Sequence, residues 1–122
     1  MKYMLLIYLD EKGSPNEAER QQCYAESAAY GQKLHESGKF VSSSPLHPSS
    51  TATCVRQNSG NPLVTDGPFA ETREQLGGYF VINAKDLDEA IRIASEVPAG
   101  RWGTVEIRPM IDVANLPVAQ AS

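Results

Sequence analysis

The chain has 122 residues and a mass of 13.3 kDa, one domain spanning 1–122 with no length left for a second core. Hydrophobic residues at 41% and charged residues at 21% exclude a chain disordered by composition. Fifteen Asp plus Glu against eleven Lys plus Arg give a net charge of −4, which excludes a binder that grips nucleic acid through a clustered positive face.

Tyr3-Met4-Leu5-Leu6-Ile7-Tyr8 predicts a first strand, closed by the turn formers Asp10-Glu11-Lys12-Gly13-Ser14-Pro15. The apolar opening is too short for a signal-peptide core, and no apolar run reaches the ~18 to 20 residues of a membrane span. The expectation is a cytoplasmic protein without a membrane segment. Asn16 followed by Glu19 reads as a capping box for a helix over 17–37 ending at Gly38, with a buried stripe of Cys23, Ala25, Ala28, Ala29, Tyr30 and Leu34.

Residues 42–50 read as a loop pinned by Pro45 and Pro48. A strand over 51–56 and a turn at Asn58-Ser59-Gly60-Asn61 into Leu63-Val64-Thr65 predict a hairpin. Asp66-Gly67-Pro68-Phe69 is a turn in which Pro68 keeps Gly67 out of the right-handed helical region. One or two helical turns are expected over 70–76, closed by Gly77-Gly78, and then a strand over 79–82. Asp86 caps a second helix carrying Leu87, Ala90, Ile91, Ala94 and Val97 at helical spacing; Pro98 stops it. A last strand covers 104–108, and 115–122 is expected to be a flexible tail.

The order β-α-β-β-β-α-β, with both helices on one face, predicts a ferredoxin-like α+β sandwich. The first strand and the 79–82 strand are apolar on both faces, and two helices cover only one. Covering ~600 Å² of the other is worth about 15 kcal/mol before association costs, so a two-fold homodimer is expected.

The run Val64-Thr65-Asp66-Gly67-Pro68-Phe69-Ala70-Glu71-Thr72-Arg73-Glu74-Gln75-Leu76-Gly77-Gly78-Tyr79 closely resembles the signature of the DGPF-domain proteins, within the wider YCII-related family. Lys2-Tyr3-Met4-Leu5-Leu6-Ile7, Leu87-Asp88-Glu89-Ala90 and Val105-Glu106-Ile107-Arg108-Pro109 fit the same pattern. The resemblance implies a dimeric α+β barrel, and a family context that includes association with extracytoplasmic-function sigma factors. The YCII branch carries a His early in its first helix and an Asp before the proline that ends its second, proposed as a catalytic pair. This chain has Ser27 and Val97 at those places, so a reaction built on that pair does not transfer.

Asp66 is a candidate base or ligand anchor, with a capped turn as the structural alternative. His47, between Pro45 and Pro48, is its candidate acid–base partner, and no nucleophile elbow accompanies the neighbouring serines. Arg56 and Arg108, on strands that could be neighbours, are candidates for holding an anionic or carbonyl-bearing molecule, with Arg73, Glu71 and Phe69 completing the binding set. The alternative for the arginines is ion pairing with Glu71, Glu74 or Glu106. His35 reads as capping the first helix, and Trp102 as a cleft lid or a dimer anchor. Cys23 and Cys54 read as small hydrophobes. No metal site is expected, and no organic cofactor, since no phosphate-cradling glycine motif is present. Two functions follow: a dimer that binds, and in the stronger form transforms, a small organic molecule between the sheet, the Asp66 loop and the 45–48 loop; or a non-catalytic accessory module in sigma-factor regulation.

Overall fold

The computed structural model describes residues 1–12 and 15–115; Gly13, Ser14 and the tail from 116 onward lie outside the described residues. β1 (Lys2–Asp10) is one of the two inner strands of a four-stranded antiparallel sheet of order β2-β5-β1-β6. The other members are β2 (Phe40–Pro45), β5 (Glu74–Asn83) and β6 (Gly103–Pro109). Between β2 and β5 the chain leaves this sheet to make a two-stranded hairpin, β3 (Thr53–Asn58) and β4 (Asn61–Asp66). Without that excursion the order is βαββαβ, the ferredoxin-like arrangement.

α1 (Glu17–Glu36) starts where expected. Asn16 Oδ1 accepts from the Glu19 amide at 2.8 Å, and Glu19 Oε1 accepts from the Asn16 amide at 3.0 Å. It ends in a Schellman pattern, with Lys39 N donating to Leu34 O at 2.8 Å and Gly38 N to His35 O at 3.0 Å. α2 (Leu87–Ser95) is capped by Asp86, whose Oδ1 accepts from the Glu89 amide at 2.9 Å.

Alternation along β1 sorts its side chains. Tyr3, Leu5 and Ile7 are buried beneath both helices, in a core completed by Phe80 and Ile82 of β5, Cys23 and Leu34 of α1, and Ala90, Ile93 and Ala94 of α2. The Tyr30 hydroxyl donates across the helix pair to Ile93 O at 2.8 Å, and burial pushes its pKa up to about 12. Met4, Leu6, Tyr8 and Tyr79 lie on the opposite face, half-buried, bordered by Ser42, Ser44, Glu106 and Arg108.

Several expectations are corrected. Residues 42–45, expected to open a loop, belong instead to β2, because their backbones complete the free edge of β5. Residues 70–73 are not helical, and β5 begins at Glu74, opposite Asp10. The Gly77-Gly78 pair lies within β5, at the register shift against Ile7 and Tyr8. The hairpin's first strand starts at Thr53, after a 3-10 turn at Ser49–Thr51. In α1 the alanines at 25, 28 and 29 are exposed, and Gly31 joins Cys23 and Leu34 inside. In α2, Leu87 and Ile91 face out while Ile93 is buried.

Glu89 of α2 is buried, yet charged groups satisfy it. Its Oε2 accepts from Lys39 Nζ at 2.6 Å and its Oε1 from the Lys85 amide at 3.0 Å. The Lys39 bond first, then the Lys85 amide, hold the carboxyl below the ordinary glutamate value. A lowered carboxylate pKa contributes stability that is present above the unfolded value and lost as pH falls through the folded one. Glu89→Gln is therefore expected to flatten the fall in melting temperature below pH 4.5, and an unchanged acid slope in a calorimetric pH series would contradict this.

Candidate functional site

A cavity of about 710 Å³ opens between the sheet and α1. Its floor is Ile7 and Leu9 of β1 with Gly78 and Phe80 of β5. One wall is α1, through Cys23, Ser27 and Ala28; the other is the 43–48 stretch, and Ala99 and Trp102 close the inner end. Asp10, Glu11, Glu17, Arg20 and His47 stand around it. The volume falls within the range of small-molecule sites.

Close packing makes the outer wall. A Cβ on Gly78 would come within 3.0 Å of Ser44 O, so β2 can lie hard against β5 only because the side chain is missing. Beyond β2 the chain is tied on both sides of His47: Leu46 N donates to Gly77 O at 2.9 Å, and Ser49 N donates to Glu11 Oε2 at 2.7 Å. The Ser49 hydroxyl donates to the same carboxylate. His47 is thus held at the cavity by three hydrogen bonds and two prolines, with its own side chain exposed.

The other expected site residues lie elsewhere. Asp66 ends β4 opposite Thr53, exposed, and is not among the residues lining the cavity. Arg56 reaches over the Phe69 ring, 5.4 Å from its centroid, and both border a second, 390 Å³ concavity on the hairpin. Arg108 is on β6 opposite Met4, with Nη1 donating to Glu106 Oε2 at 3.3 Å. Arg56 and Arg108 therefore belong to different sheets and form no clamp. Glu71 is exposed beside the hairpin's base. Arg73 touches the cavity only through Asp10, donating from Nε to Oδ2 at 3.2 Å.

Asp10, Arg20 and Tyr24 are lining residues that sequence reasoning passed over, and Cys23 and Ser27, which it had given no part in a site, join them. Cys23 and Ser27 are four apart on a helix, a spacing that puts both on one face. Burial pushes the Cys23 thiol up, partly offset by its hydrogen bond with Ser27, so it is no ready thiolate. Cys54 Sγ donates to Gly67 O at 3.2 Å on the hairpin. Trp102 has Arg101 5.5 Å over its ring, and Arg101 pairs with Glu26 of α1. Among the described residues no three His, Cys, Asp or Glu side chains converge as metal ligands, and no helix is long and apolar enough to cross a membrane.

The family model for the YCII-related domain matches residues 1–114, and the chain belongs to that family. It is 34% identical over 114 residues, 90% of this chain and 92% of the other, to the uncharacterized protein R00369 of Rhizobium meliloti (strain 1021). Its fold is similar to that of 5-chloro-2-hydroxyhydroquinone dehydrochlorinase (TftG) from Burkholderia phenoliruptrix AC1100, solved in complex with 2,5-dihydroxybenzoquinone. There the TM-score is 0.56 at 18% identity, covering 91% of this chain and 94% of that one. Ser27 lies on the cavity wall, whereas Val97 is buried in the core.

Proposed function

We propose that this protein binds a small organic molecule in the cavity beside His47, as a homodimer in the cytoplasm, with His47 as the acid–base group of any transformation it performs. The observation that carries this reading is the cavity itself: aromatic and aliphatic at its inner end, with an imidazole held at its edge by both flanks of its loop. Imidazole is the side chain best suited to proton transfer at neutral pH. The fold neighbour is an enzyme holding a single-ring ligand, which agrees with a ligand of that size.

A ligand-observed NMR screen of small phenols, amides and carboxylates tests it. Hits are expected, weakened about tenfold or more by His47→Ala and unchanged by Asp66→Asn, since Asp66 lies outside the cavity. Binding lost in Asp66→Asn at an unchanged melting temperature would move the site to the hairpin. No hit across a broad set would favour the accessory module, whose support is the exposed apolar surface of Val55, Leu63, Val64 and Phe69.

The dimer is proposed through the half-buried face bearing Met4, Leu6, Tyr8 and Tyr79, on the side of the sheet opposite the core. Sedimentation at micromolar concentration is expected to give about twice 13.3 kDa, and a monodisperse monomer would refute it.

A further inference from the structure

We infer that the cavity selects an uncharged ring and discriminates against carboxylates and phosphates. The inference deepens the binding reading above and rests on it. An anion-binding pocket needs a cation whose charge is free to meet the ligand. Among the described residues Arg20 is the only Lys or Arg lining this cavity, and its guanidinium is engaged. Nη2 donates to Glu17 Oε2 at 3.1 Å, and Nη1 to Pro15 O at 3.4 Å.

Asp10 and Glu17, at the same opening, are held as anions by their own partners. Asp10 accepts from the Lys12 amide at 2.9 Å and from Arg73, and Glu17 accepts from Gln21 Nε2 at 3.1 Å as well as from Arg20. Both have pKa values below the ordinary range, led by the Lys12 amide bond for Asp10 and by Gln21 for Glu17. Glu11 holds Ser49. An entering carboxylate would meet a lining of three carboxylates against one guanidinium, an excess of negative charge that an uncharged ring does not feel.

The inner end offers neutral contacts instead: the Phe80 ring, the Leu9 side chain and the Trp102 indole. Trp102 Nε1 is the one buried side-chain nitrogen or oxygen that lacks a hydrogen-bond partner among the described residues. Nε1 has no accessible surface, so the indole meets the cavity through its ring and not through its N–H.

The test titrates the full chain at pH 7.5 with two probes that share a ring, uncharged 4-hydroxybenzamide and anionic 4-hydroxybenzoate, by calorimetry. The amide is expected to bind at least tenfold more tightly. Glu17→Gln, which frees Arg20, is expected to strengthen benzoate binding severalfold while leaving the amide unchanged. Benzoate binding as tightly as the amide to the wild-type chain, or an unchanged benzoate affinity in Glu17→Gln, would overturn the inference and leave the binding reading standing. Failure of both probes and of every other uncharged ring would overturn the binding reading and the inference with it.

Discussion

Gly103→Ala is expected to lower stability by about 3 kcal/mol or more, and the melting temperature by about 10 °C. Gly103 opens β6 where that strand lies against Leu9 at the end of its ladder with β1. A Cβ there would overlap the Tyr8 carbonyl oxygen and stand 3.0 Å from its carbon. Both atoms are backbone of a strand paired on both edges, so neither can move without breaking a ladder. Gly31→Ala is the natural control. Its Cβ would meet the edge of the Phe40 ring at 3.3 Å, a side chain that can shift, and the helix gains about 1 kcal/mol of propensity. Thermal melts of the two variants should therefore diverge widely. Equal melting temperatures would mean that β1 and β6 are held less closely than described.

Ala28→Trp is expected to abolish ligand binding, a loss of about a hundredfold or more, with the fold intact. Ala28 is exposed on α1 and lines the cavity, so a larger side chain there displaces no core atom and competes with the ligand for its space. Calorimetry with any hit from the screen reads the effect, and the melting temperature should stay within a few degrees of the parent. Binding at parental affinity would place the ligand somewhere other than this cavity.

What could be read from the sequence was what local chemistry decides. The Asn16–Glu19 capping box, the Asp86 cap and the Ser59-Gly60 turn each work within four residues, and all three stand in the structure. Ser59 at φ 51° and Gly60 at φ 86° give the left-handed pair that a tight hairpin demands. β2 was illegible for the opposite reason. Ser42, Ser43 and Ser44 have no strand preference, and they are extended because Val81, Phe80 and Tyr79 stand opposite them. The 70–76 stretch misled because a helical reading of Glu71 and Glu74 ignores the pull of β1 on β5.

The candidate site was legible only at His47. Its cavity draws on β1, α1, β2, β5 and the turn at Pro98–Trp102, five pieces that no single window of sequence contains. The Asp66-Gly67-Pro68-Phe69 motif drew attention as the strongest local signal, yet the hairpin carries Asp66, and Arg56 and Phe69 with it, away from that cavity. Sequence proximity joined Asp66 to Glu71 and Arg73, while the tertiary structure joins Arg73 to Asp10 instead.

The hairpin is clipped at its base, where Gly67 N donates to Ala52 O at 2.8 Å, and it scarcely touches the four-stranded sheet. Two strands pinned to each other but not to a core open on their own, so their amides should exchange with solvent long before those of β1 or β5. Such an excursion is also separable in engineering terms. The sheet closes through β2 and β5 whatever the tip contains, and lengthening a surface turn costs little closure entropy. Ser59-Gly60 is therefore the place to graft an epitope, a fluorophore or a whole inserted domain while the cavity keeps its shape.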